Sequence, residues 1–351
     1  MTVAVAVSGG VDSLLTLALL KRQGSDVLAV HARLFEPGEV DMAVEAGLKD
    51  ACRSLDVPLI ILDLIEPFRS LVVEPFIESY LRGETPNPCA LCNWRFKFGP
   101  ILERAREHGA GWLATGHYAR CALDGSGRPG LWRGVDASKE QSYFLSLLGR
   151  QQLTEACLPL GTWRKREVCA TVEALGLAVP AKRESQEVCF IRDGDYRVFL
   201  ERQRRPLPGP GDIRDTSGRK LGEHRGLHEY TIGQRRGLDI AYSEPLYVLG
   251  KLTVENVLLV GPRRELSALS FSVREVNLLV PLSEWPDLVT VQTVYRQRPK
   301  AVQVLKQEGN DGLQARFTQP EKPATPGQVA AFYSAQGRLL GAGIIDGETS
   351  G

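Results

Sequence analysis

The run TVAVAV-SGGVDS-LLTLALLKRQG, residues 2–24, constrains the fold more than any other stretch. Its first six residues are apolar and mostly β-branched, as suits a strand buried on both faces of a parallel sheet. LLTLALLKRQG reads as a helix closed by Gly24. Between them, the glycines of SGGVDS permit a tight turn, and the free N–H groups at the helix start favour an anion. Ser8 and Ser13 add hydroxyl donors. Asp12 is out of place beside a phosphate unless Mg²⁺ bridges the two. No Lys-Ser or Lys-Thr follows the glycines, so this is not a Walker loop.

The same alternation continues. DVLAVHARLF (26–35), PLIILDL (58–64) and GWLATGHY (111–118) read as strands. VDMAVEAGLKDACRSLDV (40–57), EPFIESYLRGE (74–84) and FKFGPILERAREHG (96–109) read as helices. Strand and helix alternate to about residue 195, which predicts an α/β fold with a doubly wound parallel sheet over residues 1–200. RRPLPGPGDIRDTSGRKLGEHRG (204–226) is rich in Pro and Gly and offers no helix. Short strands follow, so residues 201–264 are expected to form a small mixed central domain. From 265 to 351, strand-like runs at close spacing predict a β-barrel.

At 351 residues the chain exceeds one comfortable core, consistent with several domains. No apolar run reaches the roughly 18–20 residues that cross a bilayer. The N-terminus lacks a basic n-region and a cleavage site, so a cytoplasmic protein without a membrane partner is expected. Net charge is +1, but basic clusters recur after residue 160: TWRKREV, AKRE, ERQRR, GQRRG and GPRRE. Their number points to a phosphate-binding face. Seven cysteines, an odd count in a long cytosolic chain, argue against a disulfide framework. Cys52, Cys121, Cys157 and Cys169 read as small buried side chains.

Cys89 and Cys92 form a single CxxC in TPNPCALCN. Zinc sites commonly use two such pairs. A thioredoxin-like pair is expected at the start of a helix, which two prolines in the preceding four residues do not suggest. Cys189 stands nearly 100 residues later, in ESQEVCFI. Lys182 and Arg183 precede it by a few residues and would favour its thiolate.

SGGVDS resembles the pyrophosphate loop of the ATP-pyrophosphatase superfamily, whose members adenylate a substrate and release pyrophosphate. SGGVDS, TPNPCALCNWRFKF, LATGHYAR, KEQSYFL, ESQEVCFI, LGEHRGLHEYTIGQRRGL, EPLYVLGK and TPGQVAAFY also occur in the order found in tRNA-specific 2-thiouridylases. The resemblance spans nearly the whole chain. It implies that ATP adenylates the 2-oxygen of the wobble uridine in a tRNA anticodon stem-loop. A cysteine persulfide, loaded by a sulfur-donor protein or by sulfide, then delivers sulfur and AMP leaves. By position, Cys92 and Cys189 match the catalytic cysteines, Cys189 carrying the persulfide. ATP and Mg²⁺ are implied at Val5, Ala6, Val7, Ser8, Gly9, Gly10, Val11, Asp12, Ser13, Ala32 and Gly116. Contacts to tRNA are implied at Asn87, Pro88, Cys89, His117, Lys139, Glu140, Gln141, Tyr295, Arg296 and Gln328. A Tyr-Arg pair suits RNA, one side chain stacking on a base and the other pairing with phosphate.

The chain departs from the family pattern in places. Cys89 stands where many members carry Asp. Glu140 replaces Asp, Ala32 replaces Met, and the stretch 31–50 is short. A third thiol makes Cys89, Cys92 and Cys189 candidate ligands of an iron–sulfur cluster, an alternative to the persulfide route. Two other readings compete. One is an amidotransferase-type adenylating synthetase, with no role for Cys92 or Cys189. The other is a non-catalytic RNA-binding protein, which predicts damage in SGGVDS that the sequence does not contain.

Overall fold

The computed structural model describes residues 2–181, 188–191, 194–307 and 311–347. Lys182 and Arg183, expected to favour the Cys189 thiolate, lie outside the described residues. Five parallel strands form the first sheet: β1 (Thr2–Ala6), β2 (Val27–Arg33), β3 (Leu59–Asp63), β4 (Ala110–Ala114) and β7 (Ala156–Cys157), in the order β3-β2-β1-β4-β7. Helix α1 (Val11–Arg22) follows β1, and α2 (Glu39–Ser54) follows β2. Val5, Leu14, Leu17 and Ala29 are fully buried, as the apolar run at the chain start requires. The order of the sheet reverses at β1, so the loops after β1 and β4 flank a crevice at the carboxyl ends of the strands, the usual ligand position in open α/β sheets.

A hairpin of β5 (Ala119–Leu123) and β6 (Pro129–Arg133) interrupts the alternation. No strand pair is expected here from the sequence. The turn DGSG, residues 124–127, carries its signal: Asp124 Oδ1 accepts the N–H groups of Ser126 and Arg128. Asp124 also meets Arg128 at 3.0 Å and Arg338 of the last domain at 2.6 Å. Those hydrogen bonds hold its carboxyl well below the usual range.

The central domain is a small mixed sheet, β10-β11-β8-β9, built from β8 (Gly211–Arg214), β9 (Lys220–His224), β10 (Leu246–Leu252) and β11 (Val257–Pro262). Its β8 and β11 run parallel, the other pairs antiparallel. The last domain closes into a six-stranded antiparallel barrel, β12-β15-β14-β13-β16-β17. Its strands are β12 (Ala268–Leu278), β13 (Val289–Gln292), β14 (Lys300–Lys306), β15 (Leu313–Glu321), β16 (Val329–Tyr333) and β17 (Leu339–Ile345). Closure removes exposed strand edges. Alternate apolar residues, among them Phe271, Val273, Val302 and Ala315, fill the interior. Among the described residues no helix is long and apolar enough to cross a membrane.

Candidate active site

Ser8, Gly9 and Gly10 form the turn from β1 into α1. Gly10 occupies the N-cap, and no side chain caps the helix. The first-turn N–H groups therefore lack a side-chain acceptor and can serve an anion. Ser13 Oγ accepts the Ser8 N–H at 3.2 Å and donates to the Gly10 carbonyl at 2.9 Å, which holds the turn in shape. Val5 and Ala6 end β1, and Val7 donates its N–H to the Val30 carbonyl just beyond it. Half-buried Ala32 lies near the end of β2.

The loop after β4 presses on this turn. A Cβ on Gly116 would lie 2.9 Å from the Asp12 carbonyl carbon and 3.0 Å from the Ser13 nitrogen, so only glycine allows the approach. Tyr118 donates its hydroxyl to Asp12 at 2.6 Å. Lys165, from the helix Lys165–Ala174, donates to both Asp12 oxygens at 2.8 and 2.7 Å. Neither Tyr118 nor Lys165 stands out in the sequence, although Lys165 lies in the basic cluster TWRKREV. The ammonium neutralises Asp12 beside the turn, where an uncompensated carboxylate would repel phosphate. The donor set fits Mg²⁺ through one carboxylate, the ion's other positions being filled by phosphate and water.

The cysteines occupy the neighbouring lip. Pro88–Leu91 is one helical turn, which runs into Cys92–Ile101, wound with π geometry and broken at Phe98–Gly99. Asn87 caps it, its Oδ1 accepting the Ala90 N–H at 3.1 Å. The CxxC thus does begin a helix, against the expectation drawn from its prolines. Pro88 sits at the first helical position, where a missing N–H costs nothing.

Cys189 belongs to the short turn Val188–Ile191, closed by a bond from the Ile191 N–H to the Val188 carbonyl. Two phenylalanines bring the distant sulfurs together. Phe96, one turn after Cys92, packs on Phe68 with ring centroids 5.1 Å apart. Phe190, next to Cys189, packs on the same group, 6.0 Å from Phe68 and 5.0 Å from Phe76. Phe68 is 1% exposed. Phe68→Ala is expected to cost about 3–5 kcal/mol in urea unfolding, and to let the Cys189 turn drift from the Cys92 helix. A loss under 1 kcal/mol would show that the aromatic bridge is not what joins them.

Each sulfur lies within electrostatic reach of another. Ionised Cys189 and Cys89 would both raise the Cys92 thiol, and Cys89 would raise Cys189. Burial dominates, pushing Cys92 up to about 12 and Cys189 to about 11, and it raises Cys89 too. Cys89 and Cys189 are nonetheless solvent-exposed and Cys92 half-buried. Thiols that touch water while ringed by protein line a concave mouth. Lys97 opposes the rise at all three thiols, and the N–H groups of Cys189 and Phe190 favour the Cys189 thiolate. Lys97 was also missed from sequence.

Lys97 further acts on His117, whose pKa lies well below its ordinary value, first through burial and then through that ammonium. His117 Nδ1 meets Thr115 Oγ1 at 2.8 Å. The neutral imidazole follows Gly116, so the phosphate turn, His117, Lys97 and the three thiols form one continuous site. Among the described residues, no three His, Cys, Asp or Glu side chains converge closely enough to share a metal ion.

The remaining positions lie in the segment 139–141 and on the barrel. Glu140 is 9% exposed and held by Arg133 at 3.0 Å, its other oxygen accepting the Ser142 N–H. Gln141 Oε1 accepts the Tyr118 N–H at 3.1 Å, and Lys139 beside it is half-buried. Tyr295 packs on Phe144 at 4.5 Å, with exposed Arg296 over its ring at 5.1 Å. Arg296 has φ +62°, a left-handed conformation uncommon outside glycine and often found at functional positions. Gln328 touches the segment before Cys89.

Residues 1–193 match the family described as tRNA methyl transferase HUP domain. Residues 197–262 match its PRC-barrel domain, and 269–345 the aminomethyltransferase beta-barrel domain. The chain is 48% identical to tRNA-specific 2-thiouridylase MnmA of Nitratidesulfovibrio vulgaris (strain DP4) over 347 residues, covering 99% of each. It is 46% identical to the protein of that name from Oleidesulfovibrio alaskensis, covering 98% of this chain and 99% of the relative. It is 41% identical to that from Geobacter metallireducens, covering 98% and 96%. With its three domains matched in order and relatives of this identity along almost its whole length, the chain belongs to the tRNA-specific 2-thiouridylase family.

Proposed function

We propose that this protein replaces the 2-oxygen of the wobble uridine in tRNA by sulfur, at the expense of ATP. The observation that carries the reading is the adjacency of an anion-binding turn and a mouth lined by Cys89, Cys92 and Cys189, joined through Gly116, His117 and Lys97. The turn of Ser8, Gly9, Gly10, Val11, Asp12 and Ser13 holds the triphosphate, with Ala32 and Gly116 beside the nucleoside. Mg²⁺ held by Asp12 would neutralise phosphate charge. Lys165 is placed to exchange Asp12 for a phosphate oxygen.

The uridine 2-oxygen attacks the α-phosphorus of ATP, and pyrophosphate leaves. Cys189, loaded as a persulfide by a donor protein or by sulfide with an oxidant, attacks C2 through its terminal sulfur. Collapse expels AMP and leaves the base joined to Cys189 by a disulfide. The Cys92 thiolate attacks the Cys189 sulfur, forming a Cys92–Cys189 disulfide and freeing the 2-thiouridine. A two-electron thiol reductant reopens that disulfide.

The wobble base must leave its stack to present its 2-oxygen to such a mouth. Asn87, Pro88 and Cys89 stand at the lip to meet the base of the anticodon stem-loop. His117, Lys139 and Gln141 extend that surface, and Tyr295 and Arg296 on the barrel offer a ring and a guanidinium. Glu140 supports it from beneath through Arg133. The test is mass spectrometry of tRNA nucleosides from cells lacking the protein. Loss of 2-thiouridine, restored by the wild-type chain, is expected; undiminished 2-thiouridine would overturn the reading.

A further inference from the structure

TPNP, residues 85–88, cannot organise itself. Pro86 and Pro88 lack N–H groups, so the carbonyls near them need donors from elsewhere. Both appended domains supply bonds to this segment. From the barrel, Gln328 Nε2 donates to the Thr85 and Pro86 carbonyls at 2.8 and 3.0 Å. The Thr85 N–H donates to the Pro326 carbonyl at 2.8 Å, and Arg274 pairs with Glu84 at 2.9 Å. A Cβ on Gly327 would stand 2.9 Å from that of Glu84, so the two backbones meet without space for a side chain. From the central domain, Lys251 Nζ donates to the Gly83 carbonyl at 2.8 Å, and the Thr231 and Thr85 hydroxyls meet at 3.3 Å.

The held segment ends in Asn87, which caps the cysteine helix. Tyr143 braces the same corner. Its hydroxyl lies 3.2 Å from the Val329 carbonyl and 3.4 Å from Gln328 Oε1, and it hydrogen-bonds the Asn87 side chain. An unbroken set of bonds therefore runs from the barrel and the central domain to the first turn that carries Cys89 and leads to Cys92.

We infer that Gln328 and Lys251 are positioning residues, a two-sided clamp on residues 83–87 that sets the direction in which the Cys89–Cys92 turn faces Cys189. The inference rests on the thiolation reading for what the thiols do, but not for the clamp itself. It gives the appended domains a second task besides gripping RNA: they hold the catalytic turn in register with the rest of the site. Gln328, implied by family resemblance to touch tRNA, here spends its amide on the protein's own backbone.

The experiment uses full-length Gln328→Leu and Lys251→Met. Iodoacetamide labelling of the RNA-free protein, followed peptide by peptide, reads the turn directly. Cys92 is expected to react about fivefold faster or more in both variants, as local opening exposes a half-buried thiol. Cys52, 1% exposed in the first domain, stays protected. In tRNA turnover, kcat is expected to fall roughly tenfold to a hundredfold, as small misplacements of reacting groups do, while KM for tRNA changes by less than about twofold. Unchanged Cys92 labelling in either variant overturns the clamp. So does a rise in KM at constant kcat, which would make Gln328 an RNA contact. Labelling of Cys52 along with Cys92 would also overturn it, in favour of general loosening. If the wild-type protein forms no 2-thiouridine, the thiolation reading fails, and labelling still decides the clamp.

Discussion

Cys189→Ser is expected to lower 2-thiouridine formation by roughly three orders of magnitude or more, as loss of an attacking nucleophile does. ATP-dependent release of pyrophosphate should persist, because in the proposed mechanism adenylation of the base precedes sulfur attack and uses the phosphate turn instead. The hydroxyl of serine cannot carry sulfane sulfur, so no residual route through residue 189 remains. Cys92→Ser should behave differently. The first transfer can still occur, but the base then stays joined to Cys189 through a disulfide. The expected result is a covalent RNA–protein adduct, stable to denaturation and released by dithiothreitol. Cys89 complicates that outcome in a useful way. It is exposed, stands in the same first turn and lies within electrostatic reach of Cys189. If the adduct accumulates only in the Cys89→Ala, Cys92→Ser double variant, Cys89 also resolves the disulfide. If Cys189→Ser still thiolates at a wild-type rate, the persulfide chemistry is wrong. Stoichiometric iron in anaerobically purified protein, lost together with activity in Cys89→Ala, would instead favour a cluster formed in a rearranged mouth.

The parts of this molecule that were legible in its sequence are those whose cause is local. TVAVAV followed by SGGVDS fixed a strand, a turn and a helix start within a few residues, and the structure builds them there. The barrel strands were visible because each alternates over a short run between turns. What escaped depends on contacts across long sequence separations. Lys165 meets Asp12 over 153 positions, and nothing in TWRKREV distinguishes it from its basic neighbours. Phe68 joins the two cysteine segments, yet in IEPF it looks like any core aromatic. The hairpin at 119–133 was hidden because its two short strands are paired through the DGSG turn and lack the long apolar runs of the sheet strands. Family resemblance supplied residue positions without their partners. It named Glu140 and Gln328, but the ion pair of one with Arg133 and the bonds of the other to the Thr85 and Pro86 carbonyls join residues far apart or without a local signal.

In the RNA-free protein, the thiols are expected to be poorly reactive at neutral pH. Ordinary cysteine ionises near 8.5, whereas burial holds Cys189 near 11 and Cys92 near 12. Since only the thiolate is alkylated, Cys189 should react with iodoacetamide roughly a hundredfold more slowly at pH 7.5 than an unperturbed thiol, its rate still climbing above pH 9. The sign for stability follows. A thiol whose folded value is raised contributes stability fully present below the unfolded value near 8.5, and lost as pH climbs through the folded values near 11 and 12. Alkaline unfolding should therefore begin earlier than in Cys92→Ala if that variant packs well. Lys97 works against burial at all three thiols. Lys97→Met should move the labelling profile to still higher pH, and Lys97→Arg should restore it, because the charge rather than the stem is what matters. A neutral-pH rate equal to that of free cysteine would refute the picture. A suppressed resting rate has a consequence for the reaction. An enzyme that keeps reactive sulfur in a water-filled mouth risks losing it to oxidants or stray thiols. In the proposed mechanism, holding the thiols protonated until adenylated RNA fills the mouth would tie sulfur chemistry to the presence of its acceptor. It would also make Lys97, half-buried and within electrostatic reach of His117 and the sulfurs, the charge on which that activation builds.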